Sequence, residues 1–201
     1  MAMRIIGFKK KGGFATHCLV EHEKFLVDIE GLDAADVVPH ACSGITVLNA
    51  LEKLGPLRDG EWMAIMGCGG LGMNAIAIAS AMGFQNIIAV DIDDAKLKAA
   101  RDMGAVKVMN GRSKDAVQEL QALADGRLMG VIDTFGGDST GRIAVRNSPQ
   151  LRKLIAMVRD GKVKQMPIER RPLSEINQAM DDLEGGKVTG RIVFLPDHSE
   201  T

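Results

Sequence analysis

The stretch Trp62-Met63-Ala64-Ile65-Met66-Gly67-Cys68-Gly69-Gly70-Leu71-Gly72 decides the fold. The apolar run 62–66 predicts a buried strand, and the segment 71–82, which is apolar nearly all round, predicts a buried helix. Between them lies a Gly-x-Gly-x-x-Gly turn, the pattern of a loop that cradles the pyrophosphate of a dinucleotide. In such a loop the first glycine permits the tight turn, the second lets backbone approach the phosphates, and the third lets the helix pack against the strand.

Strands and helices alternate outward from this loop. Further strands are predicted at 86–90, 106–109 and 129–134. Asp93 caps a predicted helix that ends at Gly104, and another helix is predicted over 114–124. Their predicted core-facing residues are Ala95, Ala99, Ala100 and Met103 in the first helix and Val117, Leu120, Leu123 and Ala124 in the second. Strict alternation predicts an α/β fold, a shortened doubly wound parallel (Rossmann) sheet with strand order 3-2-1-4.

The alternation breaks after residue 134. Arg142-Ile143-Ala144-Val145 reads as a short strand, but too few residues precede it for a helical crossover. It is therefore expected to be antiparallel or irregular, which would leave the outer edge of the strand at 129–134 exposed and open to self-association. Later helices are predicted to begin at Ser148 and, capped by its side chain, at Ser174, and a closing strand is predicted over 190–196.

An acidic residue follows the second predicted strand. Asp91 lies 19 residues after Gly72, near the spacing at which a carboxylate accepts hydrogen bonds from the adenosine ribose. A carboxylate there disfavours a 2′-phosphate, and Ile92 and Asp93 follow it rather than arginine, so NAD is favoured over NADP. Two alternatives share these residues: a glycine turn in an unrelated α/β sheet with a chance aspartate, and a methyltransferase.

The composition of the chain indicates which binding partners and which cellular compartment to expect. The chain has 25 Lys and Arg against 26 Asp and Glu, a formal charge of −1, which predicts neither nucleic acid nor an anionic membrane as partner. No apolar run approaches the roughly 18 residues of a membrane span. The three cysteines have no Cys-x-x-Cys spacing, which favours a reducing, cytoplasmic location.

Several segments resemble the zinc-type (medium-chain) alcohol dehydrogenase family and occur in that family's order. They are Gly12–Thr16, Cys42–Thr46, the glycine loop, Asp91–Lys96, Pro172–Ala179 and Gly190–Val193. The resemblance implies an NAD-dependent oxidoreductase that transfers a hydride between NAD and a small alcohol or aldehyde. It also implies a catalytic zinc in full-length members, where the metal polarises the alkoxide oxygen.

The resemblance assigns residues one by one. The pyrophosphate loop matches at Gly67, Gly69, Gly70, Leu71 and Gly72, and the ribose pair matches at Asp91 and Lys96. Thr46 matches a residue beside the nicotinamide, Arg191 an arginine near the cofactor phosphates, and Cys42 one ligand of the catalytic zinc. The implied domains are a remnant of the GroES-like catalytic domain at 1–45, an NAD-binding Rossmann domain at 46–165 with an internal deletion near 137–141, and a return to the catalytic domain at 166–201.

The other zinc ligands of the family have no counterpart in this sequence. Unless His40 completes a site, Cys42 is expected to be a small buried hydrophobe. Asp181 and Asp182 are expected on a solvated face. Two hypotheses follow: an NAD-dependent alcohol dehydrogenase of which this chain is mainly the cofactor-binding part, or a catalytically inactive NAD-binding module or truncated fragment. Homo-oligomer formation is left open.

Overall fold

A four-stranded parallel sheet forms the centre of the computed structural model, which describes residues 13–15, 17–20, 22–113, 115–135 and 148–195. Its strands are β1 (Trp62–Met66), β2 (Ile87–Asp91), β3 (Lys107–Asn110) and β4 (Leu128–Asp133), in the order β3-β2-β1-β4. Every neighbouring pair is parallel. The predicted fold class and strand order are confirmed, and the strand at Arg142–Val145 lies outside the described residues.

Helices cover both faces of this sheet unequally. They are α1 (Ala34–Val37), α2 (Ser43–Leu54), α3 (Gly70–Ala81), α4 (Asp94–Met103), α5 (Ala116–Leu123), α6 (Ser148–Arg159) and α7 (Ile176–Glu184), with short 3-10 turns at Glu23–Phe25, Val38–Ala41 and Leu173–Glu175. Side chains of α2, α3, α4 and α6 share one apolar core with β1 and β2, whereas α5 packs on the opposite face. Because α3 lies between the sheet and α2, its residues 72–79 are all buried, as its all-round apolar pattern predicts. In the described part of the chain, no helix is long and apolar enough to cross a membrane.

A second, two-stranded parallel sheet lies beside the first. It consists of β5 (Ile168–Pro172) and β6 (Arg191–Leu195), and α7 connects the two strands. The closing strand at β6 was predicted and β5 was not. The sequence of β5, Ile-Glu-Arg-Arg-Pro, lacks the apolar alternation of a half-buried strand. Its two arginines form ion pairs instead. Arg170 pairs with Asp33 and Asp36, and Arg171 pairs with Glu169 and Asp182.

The predicted core-facing residues are wrong in part for α4 and α5. In α4, Ala95 is exposed and Leu97 is buried, because Leu97, Ala100 and Met103 recur at the spacing of one helix face whereas Ala95 lies two residues away. Val117 of α5 is 67% exposed, at the margin of an apolar stripe centred on Leu120. In α7, Met180 and Leu183 are exposed and only Ala179 is buried.

Two predictions about polar residues near α7 are also corrected. The helix begins at Ile176 with Glu175 in the N-cap position, and Ser174 lies in the preceding 3-10 turn. Asp182 does not lie on a solvated face, because its side chain is only 16% exposed and accepts a 2.8 Å hydrogen bond from Arg171. This pair connects α7 to β5, and the guanidinium of Arg171 lowers the pKa of the Asp182 carboxyl.

Candidate nucleotide-binding site

The glycine loop joins β1 to α3 in a turn that only glycine fits at two positions. Gly67 has a φ of +89°, and its N–H donates a 2.7 Å hydrogen bond to the carbonyl of Val90. A Cβ on Gly72 would overlap the carbonyl oxygen of Gly67. The first and third glycines therefore have the roles that the motif predicts, a tight turn and close packing of helix on strand.

Gly69 lies at the point where the loop faces open space. Its backbone is extended (φ −76°, ψ −166°), and a Cβ there would meet no atom within 4 Å. Gly69 is also the N-cap of α3, and no side chain caps the helix. The N–H groups of the first turn are thus left to a ligand, and the positive end of the helix dipole favours an anion there.

Asp91 ends β2 and is held by the loop. Its Oδ2 accepts a 2.6 Å hydrogen bond from the N–H of Cys68, and its Oδ1 accepts a 3.0 Å hydrogen bond from the N–H of Asp93. Asp93 in turn caps α4, as predicted, by accepting from the N–H of Ala95. The Asp91 carboxylate is thereby fixed in direction at the carboxyl end of the sheet.

The thiol in the loop is not a reactive group. Cys68 is fully buried, and burial, together with the nearby Asp91 charge, raises the pKa of its thiol to about 12. The side chain lies 3.8 Å from the carbonyl of Val90. Since the thiolate is the nucleophilic form, Cys68 serves as a packing residue.

Arg191 reaches the start of α3 from the second sheet. A Cβ on Gly70 would overlap the Arg191 side chain and the carbonyl of Gly190. Gly190 itself has a φ of +87° and packs against the carbonyl of Pro167, so β6 approaches the loop closely. The Nε of Arg191 is buried and has no hydrogen-bond partner. A buried, unused donor on a positive side chain beside a helix N-terminus is what an anionic group would satisfy.

These residues line one cleft of about 510 Å³, within the roughly 300–1,000 Å³ usual for ligand sites. Of the predicted cofactor residues, the cleft brings together Gly67, Gly69, Gly70, Leu71, Asp91, Lys96 and Arg191, while Gly72 lies buried directly beneath the loop. Sequence reasoning missed its apolar lining, which includes Phe14, Ile92, Phe135, Met180, Leu183 and Phe194. It also missed Thr134, although a hydroxyl residue ending a strand next to the loop's own strand is a usable signal.

Thr46 and Cys42 are not among the residues that line this cleft. Both belong to the start of α2, where the Thr46 hydroxyl donates a 2.8 Å hydrogen bond to the carbonyl of Cys42. Cys42 is exposed, so the prediction of a buried cysteine is wrong. His40 is the buried member of this turn, and burial lowers the pKa of its ring, an effect that the nearby Asn74 partly offsets.

The donors near Cys42 do not fit a zinc site. A zinc ion needs at least three protein ligands, and no group of three or more His, Cys, Asp and Glu side chains within the described ranges could hold a metal. Both ring nitrogens of His40 are buried, whereas Cys42 is exposed. The described residues around Cys42 therefore do not supply the ligands of a catalytic zinc.

This chain is similar to dehydrogenases in both sequence and structure. The family model described as zinc-binding dehydrogenase matches residues 70–147. An alcohol dehydrogenase of Geobacillus stearothermophilus is 32% identical over 94% of this chain and 66% of its own length. An NAD-dependent alcohol dehydrogenase of Sulfurisphaera tokodaii is 30% identical over 96% of this chain and 67% of its own. The crystal structure of the alcohol dehydrogenase of Aeropyrum pernix superposes with a TM-score of 0.80 and 26% identity, over 96% of this chain and 68% of that one.

This chain is shorter than these relatives. It spans about two thirds of the length of the relatives that it matches. The alignment with the Geobacillus protein runs over 225 residues, whereas this chain has 201 in total. The relative therefore contains residues within the aligned region that have no counterpart here.

Proposed function

The chain belongs to the zinc-type, medium-chain alcohol dehydrogenase family, and on that basis we propose that it binds NAD(H) in the cleft at the carboxyl ends of β1, β2 and β4. The observation that carries the proposal is the glycine loop, which has open space at Gly69, an uncapped helix behind it, and the unpartnered Nε of Arg191 beside it. Each of these features is accounted for by a pyrophosphate bound at the start of α3.

The other residues that line the cleft favour one orientation of the cofactor, with its adenosine end toward Asp91. Asp91 and Lys96 line the cleft together with the glycine loop, and the adenosine ribose would hydrogen-bond to the carboxylate there. Apolar side chains on both sides of the cleft offer surfaces to the rings of the cofactor. Thr46 remains a proposed neighbour of the nicotinamide on the resemblance alone.

The proposed activity of the family is hydride transfer between NAD and an alcohol or aldehyde. For this chain we favour the narrower role of the cofactor-binding part, since Cys42 is exposed and lacks the further donors of a zinc site among the described residues. The alternative of a catalytically inactive NAD-binding module rests on the same observation. Neither role gives turnover by this chain alone, whereas a complete dehydrogenase would.

Selectivity for NADH over NADPH provides a direct test of binding. The negative Asp91 carboxylate would face a 2′-phosphate, and two like charges about 4 Å apart in a partly buried site cost several kcal/mol. We expect NADH to bind at least about tenfold more tightly than NADPH. Trp62, at the opposite end of β1 from the loop, lies roughly 16 Å away and is close enough to transfer excitation to reduced nicotinamide. Quenching of its fluorescence is the measurement.

A variant at position 91 separates the effect of the carboxylate charge from the effect of the side-chain size. Asp91→Asn removes the negative charge and keeps one side-chain oxygen, which can accept from the N–H of Cys68 or of Asp93 but not from both. The preference for NADH should narrow in that variant. Equal affinities of the original protein for NADH and NADPH would contradict the assigned role of Asp91.

We further propose that a second copy of this chain pairs with the outer edge of β4, which no other described strand occupies. In the described sheet β4 is hydrogen-bonded only to β1, and its side chains Met129 and Val131 are 59% and 55% exposed. The strand contains neither proline nor lysine, the residues that usually protect an edge. Antiparallel pairing about a two-fold axis at Gly130 would set Met129 against Val131 of the partner subunit. In the same register Arg127 lies opposite the partner's Asp133, so opposite charges meet at both ends.

Introducing a charge at this edge should prevent pairing. We expect the protein to sediment as a dimer and Met129→Lys to sediment as a monomer, because the symmetric pairing would then bury two lysines. Val38→Lys, at an equally exposed valine on another surface, should remain dimeric. Analytical ultracentrifugation distinguishes these states. A monomeric parent protein, or a dimer that Met129→Lys leaves intact, would refute pairing through β4.

A further inference from the structure

Thr134, the first residue after β4, contacts the glycine loop with its hydroxyl. Its Oγ1 lies 2.8 Å from the carbonyl oxygen of Met66 and 2.9 Å from that of Gly67, and it donates to both. The Thr134 backbone N–H also donates to the Met66 carbonyl, at 2.9 Å. A residue of β4 therefore holds the end of β1 at the point where the chain turns into the loop.

The peptide unit between Gly67 and Cys68 is held at both of its polar ends. Thr134 donates to its carbonyl oxygen, and the carboxylate of Asp91 accepts from its N–H at 2.6 Å. The same carbonyl oxygen packs against Gly72, where a Cβ would overlap it. The plane of this peptide therefore sets the start of α3, whereas the Asp91 carboxylate is also held by the N–H of Asp93.

The hydroxyl also changes the electrostatics of the loop. Two carbonyl oxygens with partial negative charge converge on Thr134, directly beneath a site that is open to an anion. The hydroxyl proton of Thr134 offsets the partial negative charge of these oxygens. It would also keep the Gly67 carbonyl from turning toward phosphates that bind in the cleft. Such preorganisation is most effective where water is excluded, and Thr134 is part-buried.

We propose that Thr134 is a positioning residue for the pyrophosphate, acting through the Gly67–Cys68 peptide rather than by contact with the cofactor. This inference rests on the proposed binding of NAD(H). It makes the loop depend on three strands: β1 supplies it, β2 fixes the N–H side of its first peptide through Asp91, and Thr134 after β4 fixes the carbonyl side. Neither the glycine motif nor the acidic residue that follows it predicts this third contact.

Removal of the hydroxyl should weaken binding of a diphosphate selectively. We expect Thr134→Ala to lower the affinity for NADH about tenfold, the usual order for a lost partly buried hydrogen bond. Adenosine, which has no phosphate and is measured by competition with NADH, should lose less than about twofold. Thr134→Ser retains the hydroxyl and should bind NADH within about twofold of the parent protein.

Ser43→Ala supplies the matched control. Ser43 is buried; its hydroxyl donates a 2.7 Å hydrogen bond to the carbonyl of Pro39 and accepts one from Asn74 of α3, and neither contact involves the glycine loop itself. Its loss should lower the melting temperature without changing the affinity for NADH. The inference is overturned if Thr134→Ala binds NADH like the parent, if Thr134→Ser is as weak as Thr134→Ala, or if adenosine is weakened equally. A parent protein that binds no NADH would instead overturn the proposed function, and the inference with it.

Discussion

Gly72→Ala is expected to lower the melting temperature by roughly 10 °C and to remove measurable binding of NADH. The new Cβ would overlap the carbonyl oxygen of Gly67, which is backbone and is held by Thr134, so it cannot rotate away as a flexible side chain would. To relieve the overlap, α3 must separate from β1, and both elements contribute to the main apolar core. Overpacking of this kind costs about 3 kcal/mol or more, which corresponds to that shift in a chain of this length.

Gly69→Ala is the matched control for this prediction. The same methyl group at position 69 meets nothing within 4 Å, and the extended backbone there suits any residue. The melting temperature should therefore stay within about 1 °C, while the affinity for NADH falls on the order of 100-fold because the methyl group occupies the approach of the pyrophosphate. Thermal unfolding and fluorescence titration of both variants are the measurements. Destabilisation by Gly69→Ala, or a stable Gly72→Ala that binds NADH, would contradict this assignment of the two glycines.

The parallel sheet was predictable because its strands are short, apolar and separated by helices. Each of the four predicted strands lies within one residue of its observed bounds. The strand order follows from the fold class once the glycine loop identifies the first strand. The loop itself could be assigned because its requirements are local: a positive φ at Gly67 and contact between Gly67 and Gly72 involve residues close in sequence.

The contacts that were missed connect residues distant in sequence. Arg171 of β5 and Asp182 of α7 pair with each other, so a polar strand and an acidic helix face that look solvated are packed together. Met180 and Leu183 follow a helical apolar stripe, yet they line the cleft instead of the core. Hydrophobic periodicity identifies the apolar face of a helix but not what that face contacts.

His40 is buried and Cys42 is exposed, and this difference has a local cause that the sequence does not make obvious. His40 lies in the 3-10 turn before α2 and packs against Gly44, where a Cβ would come within 3.0 Å of the His40 Cβ. Leu154 of α6 closes over the same position. The absence of a side chain at Gly44 thus makes room for the imidazole, and Cys42, at the N-cap of α2, remains at the surface.

We expect this chain not to oxidise alcohols with NAD, even where it binds NADH. Hydride transfer needs the alcohol carbon held against the nicotinamide and its oxygen activated as an alkoxide. The glycine loop, Asp91, Lys96 and Arg191 would bind only the adenosine and phosphate end of the cofactor, and binding energy of that kind is the same in the ground state and the transition state. It therefore contributes affinity without lowering the chemical barrier. Cys42, the one residue that resembles a zinc ligand, is exposed and lies outside the lining of the cleft.

We therefore expect formation of NADH from NAD to stay at least about 1,000-fold below the 1–1,000 s⁻¹ usual for enzymes. Primary, secondary and benzylic alcohols should be assayed by NADH absorbance with and without added zinc, on protein shown by Trp62 fluorescence to bind NADH. Cys42→Ser is the matched variant, because it removes the one residue that resembles a zinc ligand and leaves the cleft intact. Steady zinc-stimulated production of NADH that Cys42→Ser abolishes would establish a complete catalytic site built around Cys42, and the chain would then be a dehydrogenase in its own right rather than the cofactor-binding part of one.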